Sequence, residues 1–201
     1  MISEHAIALM VGFEVTDQAT YEARLARPTW PGVDSGITIG IGYDLGYEST
    51  IRQDWIGRLP VERVGQLASV QGLTGRQARD GLGLVAGVFV PWTMALDVFI
   101  GCTIPRATEK AAEAFPGIEA LPADAAGALV SLVYNRGPSL LGPQRIEMRQ
   151  IRTALAEGRP GDIPQLIRDM KRLWPDVPGL RDRREAEAAL FEAGLAGEAV
   201  A

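Results

Sequence analysis

Cysteine is almost missing from this sequence. A single residue, Cys102, in 201 positions rules out an internal disulfide. It stands in an apolar stretch with Val98, Phe99 and Ile100, which reads as a buried reduced thiol rather than a nucleophile. Histidine is equally scarce: His5 is the only one. Zinc sites and Cys/His nucleophilic dyads therefore fall away, and no metal or cofactor is expected. Positive charge is in deficit, with 20 Lys+Arg against 25 Asp+Glu and a formal net charge of -5. That balance argues against general affinity for nucleic acid or anionic lipid. Long unbroken apolar runs are also lacking. The nearest approach, Gly81 to Ile104, contains Pro91, Asp97 and four glycines. Two core helices meeting near Pro91 account for it better than a membrane span, so no integral membrane segment is expected. The start, Met1-Ile2-Ser3-Glu4-His5, has neither the basic opening nor the small-residue cleavage site of a secretory signal. The expectation is a chain made in the cytoplasm without its own signal.

What is present is mostly helical patterning. Apolar residues at Ile2, Ala6, Leu9, Met10 and Phe13 keep helical spacing along one face. A second short helix is predicted over Thr20 to Ala26, stopped by Pro28 and Pro31. Further helices are predicted near 61–71, 75–90, 92–101, 105–115, 122–135, 144–157, 162–173 and 180–194, between Pro, Gly or Asn signals. Ala123 to Tyr134 is apolar almost all round, the mark of a helix enclosed by others. At 47% hydrophobic and 22% charged residues, with no repeat or low-complexity linker, the composition is that of a folded globular chain.

One segment breaks the helical texture. Pro31 to Gly46 reads PGVDSGITIGIGYDLG, with Ile37, Ile39, Ile41 and Tyr43 alternating with Thr38, Gly40, Gly42 and Asp44. Period two means strand, and the glycines mean a tight reversal inside it. In one straight strand Thr38 and Asp44 would lie about 20 Å apart, too far to share a water. A reversal across Gly40, Ile41 and Gly42 instead makes them cross-strand neighbours, with β-carbons about 5 Å apart. Glycine permits that reversal because it accepts positive φ without a β-carbon clash. The other face, with Ile37, Ile39 and Tyr43, is expected to pack on a helix.

Glu14 follows the apolar face of the first helix, near its C-terminal end. The helix dipole is negative there, and Phe13 and Val15 are apolar neighbours, so the protonated acid is favoured over the carboxylate. Proton donation to a glycosidic oxygen needs such an acid. Position alone favours the other reading, a surface Glu at a frayed helix end. The combination is what points to chemistry. One acid closes a helix, while a second acid and a hydroxyl ride a glycine-rich hairpin, which suits hydrolysis of a sugar linkage by two carboxyl groups on opposite sides of the scissile bond.

Gly36 to Gly42, GITIGIG, followed by Tyr43-Asp44-Leu45-Gly46, resembles the hairpin of phage T4-type lysozymes and, more closely, of the pesticin-like muramidase domain. In both families a catalytic Glu closes the first helix and a Thr sits in the T-I-G-x-G hairpin, places held here by Glu14 and Thr38. In the pesticin-like pattern the Asp follows the Thr by six residues, which is Asp44. In the T4-type pattern it precedes the Thr, where Asp34 stands two residues out of register and is the reserve. Ala128 to Gly137, ALVSLVYNRG, is similar to the central buried helix, and Leu173-Trp174 with Gly179 to Phe191 are similar to the last helices. The resemblance implies an α+β, predominantly helical, lysozyme-like fold. Residues 1–201 would form one catalytic domain, with a hairpin-bearing lobe over about 1–60 and a helical lobe over about 61–201 around the buried helix. It implies cleavage of the β-1,4 bond between N-acetylmuramic acid and N-acetylglucosamine without metal or cofactor. Glu14 would donate the proton, and Asp44 with Thr38 would hold the water, with inversion at the anomeric carbon. Arg183 or Arg184 would contact Glu14. Tyr43, Tyr134, Asn135 and Arg136 could line a saccharide cleft, with packing or turn roles as the alternative for each.

The resemblance further implies a monomer acting on peptidoglycan in the periplasm or wall of a target bacterium. The chain would be either a phage endolysin or a toxin carried by delivery machinery, with any immunity protein undefined. An acidic chain departs from the basic balance of many lysozymes. Two other classes remain: a catalytically silent wall-binding module on the same fold, and a helical membrane-disrupting protein resting on Gly81–Ile104. A dinucleotide-binding reading of Gly40-x-Gly42-x-x-x-Gly46 fails, because no long helix starts at those glycines and no second strand follows.

Overall fold

The computed structural model describes residues 2–197. It is predominantly helical with one small two-stranded antiparallel sheet, an α+β arrangement. The elements run α1 (Glu4–Val15), α2 (Gln18–Arg24), β1 (Thr38–Ile39), β2 (Tyr43–Asp44), α3 (Ile51–Trp55), α4 (Val61–Ser69), α5 (Gly75–Val85) and α6 (Trp92–Val98). A π-helical turn, Phe99–Thr103, leads into α7 (Ile104–Ala114). Then come α8 (Ala123–Arg136), α9 (Ile146–Ala156), α10 (Ile163–Asp169) and α11 (Pro178–Ala196). The chain forms two compact units, one of residues 14–104 and one of residues 1–13 with 105–201.

The unit of residues 14–104 is organised around the hairpin. Ile37, Ile39 and Tyr43, the face expected to pack, are buried, and Ile41 and Leu45 are buried with them. Removing each such side chain from water stabilises the fold by about 1.5–3 kcal/mol. The expected helix under this face is α3, whose Trp55 meets the Tyr43 ring edge-on at 5.5 Å and 82°. A second cluster forms where the Tyr21 hydroxyl donates to the Val90 carbonyl at 2.9 Å and its ring tilts against Trp92 at 5.3 Å. The stretch 81–104 does not make one long helix: α5 ends at Val85, and α6 begins after Pro91 and passes into the π turn. Among the described residues, no helix is long and apolar enough to cross a membrane.

The other unit is built on α8. Ala125 and every residue from Gly127 to Val133 is buried, so the expected enclosed helix is found. Glycine lets its neighbours approach. A β-carbon at Gly127 would stand 2.2 Å from that of Ala6 in α1, and one at Gly194 of α11 would stand 2.6 Å from the Ala125 amide nitrogen. Both positions need a residue without a side chain. On the outer face of this unit, Arg168 of α10 binds Glu185 and Glu192 of α11, and Lys171 also binds Glu185.

Candidate active site

Thr38 and Asp44 are cross-strand partners: the register pairs Thr38 with Asp44 and Ile39 with Tyr43. The reversal between them is Gly40-Ile41-Gly42, with φ of 56° at Gly40 and 65° at Gly42. That is the region in which glycine is tolerated at least cost. The tip packs tightly, since a β-carbon at Gly40 would meet the Trp55 ring at 3.3 Å. Thr38 directs both main-chain groups to Thr29, at 2.9 and 2.7 Å. Toward β2 it therefore forms the pair without hydrogen bonds, the closer kind, with α-carbons about 4.5 Å apart. The two side chains thus leave neighbouring strands on the same face of the hairpin, and both residues are half-buried.

The Asp44 carboxylate is aimed by the backbone. The Gly46 amide donates to its Oδ1 at 2.8 Å, and the Gly36 amide donates to its Oδ2 at 3.1 Å. The first bond closes a turn of the kind Asp makes with the amide two residues on. Each carboxylate oxygen has room for two donors, so one acceptor position on each remains for a water or a substrate hydroxyl. The absence of side chains at 36 and 46 makes this possible. A β-carbon on Gly36 would fall 2.0 Å from Asp44 Oδ1, and one on Gly46 would fall 2.8 Å from both the Gly36 α-carbon and the Leu73 carbonyl. Asp34, the reserve, lies in the exposed turn before β1, away from the pairing with Thr38.

Glu14 belongs to the same unit as Thr38 and Asp44 and lies in the last turn of α1, half-buried beside the buried Val15. The helix is stopped abruptly after it. Thr16 takes φ of 67°, unusual for a β-branched residue, and Asp17 then caps α2 by accepting from the Thr20 amide at 2.7 Å. That bond holds the Asp17 carboxyl below the usual carboxylate range. The reversal fixes the end of α1, and with it the place from which the Glu14 side chain leaves the helix.

The remaining residues sort differently. Tyr43 is 2% exposed, and its hydroxyl donates to Asp54 Oδ2 at 2.6 Å, so it is a core residue rather than a lining of any cleft. Thr50 donates to the same oxygen at 2.9 Å. Arg183 and Arg184 are both buried in α11 and share Glu187. Arg184 reaches Glu187 at 2.9–3.0 Å and also donates to Asn135 Oδ1 at 3.0 Å, while Arg183 stands 3.3 Å from Glu187. The Ser131 hydroxyl donates to Glu187 at 2.7 Å. Burial pushes the Glu187 carboxyl up, against the pull of the two guanidiniums, and pushes Arg184 down. Arg183 also lies over the rings of Phe13 and Tyr134, at 5.6 and 5.9 Å. Arg136 stacks on Trp174 at 4.9 Å and donates to the Gln144 carbonyl. Burial and the nearby Arg145 and Arg184 bring its guanidinium down to about 10. Asn135 and Arg136 close α8 before Gly137, which has φ of 76°, as the turn alternative expects.

Sequence reading missed Glu187 and Asp54. Glu187 was open to discovery, because it lies three and four positions after the two arginines on one helix, the spacing at which side chains meet. Asp54 depends on a tertiary contact and left no local signal. Among the described residues, no group of three or more His, Cys, Asp or Glu is placed to hold a metal ion. Compared with known proteins, the chain matches no protein-family model, and no curated protein matches it significantly.

Proposed function

We propose that this chain is a muramidase, hydrolysing the β-1,4 bond between N-acetylmuramic acid and N-acetylglucosamine in peptidoglycan. The observation that carries the reading is the Thr38–Asp44 pair, held side by side with the carboxylate aimed by the Gly36 and Gly46 amides. Asp44 accepts a proton from a water that Thr38 helps to orient, and the water attacks the anomeric carbon. Glu14 gives its proton to the departing glycosidic oxygen. Acid and base then stand on opposite faces of the sugar, and the product is inverted. No metal or cofactor takes part in this scheme. The enzyme would act on the wall of a target bacterium as an endolysin or a delivered toxin.

The test is incubation of the purified protein with isolated peptidoglycan, followed by mass spectrometry of the fragments. Reducing muramic acid ends are expected; anhydro ends would show that water is not the attacking group. Glu14→Gln should abolish cleavage while leaving the urea unfolding midpoint near that of the parent. Undiminished cleavage by this variant would remove Glu14 from the scheme. Wall binding without cleavage by the unmodified protein would support the silent-module alternative instead.

A further inference from the structure

Resting on the muramidase reading, we propose that Trp30, Val33 and Tyr47 form a stacking subsite for an uncharged pyranose ring of the glycan, beside Asp44. Tyr47 is 69% exposed, yet it is tethered: its hydroxyl donates to the Asp34 carbonyl at 2.9 Å. Trp30 is half-buried and tethered in the same way, with its indole N–H donating to the Ser35 carbonyl at 3.1 Å. The two aromatic side chains thus grip consecutive carbonyls of one turn, Gly32–Ser35, which the Ser35 amide closes on Gly32 at 3.2 Å. The Gly75 amide adds a third outside bond, to the Ser35 carbonyl at 3.0 Å. At the crown of this turn Val33 has φ of 51° and is 85% exposed. A β-branched residue in the left-handed region is strained, and such strain persists only where the surroundings hold it. Here they hold an apolar side chain out into solvent.

The turn and the Tyr47 ring are fastened to the same main chain that aims Asp44. The Tyr47 amide donates to the Asp44 carbonyl at 3.2 Å, and Gly36, whose amide holds Asp44 Oδ2, directly follows Ser35. A sugar ring offers a face of C–H groups carrying slight positive charge, and the face of an aromatic ring is negative. Rings already fixed in place lose little freedom on binding, which favours affinity. A neutral contact of this kind also suits a chain of net charge -5, which has little general attraction for anionic wall material.

The test is calorimetric titration of a purified tetrasaccharide of alternating N-acetylglucosamine and N-acetylmuramic acid into the Glu14→Gln protein, which does not consume it. Adding Tyr47→Ala should weaken binding about tenfold, the size of one aromatic contact. Adding Tyr47→Phe, which keeps the ring and drops the tether, should weaken it less. With Glu14 intact, Tyr47→Ala should raise KM while kcat is nearly kept, a split that a folding defect does not give. Unchanged affinity in Tyr47→Ala, equal losses in Ala and Phe, or no tetrasaccharide binding by the Glu14→Gln protein would each overturn the subsite. The muramidase reading is judged separately, by whether the unmodified protein cleaves peptidoglycan.

Discussion

Gly36→Ala is the sharpest perturbation the hairpin allows. The new methyl group would sit 2.0 Å from Asp44 Oδ1, 2.4 Å from the Gly46 amide nitrogen and 2.6 Å from the Gly46 α-carbon. Ordinary contact begins at 3.4 Å, so the carboxylate must retreat by more than an ångström and the chain at Gly46 or Gly36 must move as well. Gly46 has little room, since its own side-chain direction already faces the Leu73 carbonyl and Thr74. Overpacking of this kind costs about 1–3 kcal/mol. The displaced carboxylate also loses its bonds to the Gly36 and Gly46 amides, each worth about 1.5–3 kcal/mol to a charged acceptor when fully lost. The expected result is a lower urea midpoint with an unchanged slope. Glycan cleavage should fall about a hundredfold, the usual effect of misplacing a reacting group by an ångström. Gly83→Ala is the control, because nothing lies within 4 Å of its added methyl and it stands inside α5. It should raise stability by about 0.8–1 kcal/mol through helix propensity and leave cleavage alone. If Gly36→Ala matched the parent in both midpoint and rate, the reasoning about the aimed carboxylate would be refuted.

Two further outcomes are expected. Glu187→Gln leaves two buried guanidiniums short of their shared countercharge and should destabilise the protein by about 3–5 kcal/mol in urea titration; a loss below 1 kcal/mol would mean the cluster is not a charged one. Bonds from Lys171 and Arg168 hold the Glu185 carboxyl below its ordinary value of 4.5, and the bond from Arg168 holds Glu192 below it. Their contribution is therefore present above that value and is lost as pH falls through the lowered ones. Arg168→Met should flatten the fall of the urea midpoint between about pH 5 and 3, and an identical acid limb in the two proteins would refute the assignment.

The hairpin was legible because two independent signals agreed. Alternation put Ile37, Ile39 and Tyr43 on one face, and paired glycines marked where the chain could turn. Together they give the register of Thr38 against Asp44. The enclosure of α8 was legible for the same kind of reason, since a helix with no polar face has only one way to exist in water. Helix ends were less legible. The helix predicted to reach residue 90 stops at Val85, because Val88 and Val90 are buried in a non-helical approach to Pro91. The short α3, Ile51–Trp55, escaped because five residues carry too little periodicity to read. The two amides that orient Asp44 could not be read at all. They depend on Gly36 and Gly46 coming within touching distance, and a glycine in a sequence says only that contact is permitted.

The seat that Gly127 leaves for Ala6 also bears on the order in which the protein can be made. The unit containing α8 draws its first helix from the start of the chain and everything else from beyond position 104. The segment 14–104 can close as soon as it leaves the ribosome, whereas residues up to Phe13 must wait for α8 to be synthesised. Until then Ala6, buried in the finished unit, stands without the seat that Gly127 provides. Nascent chains halted between these two points should therefore be the ones most in need of a chaperone.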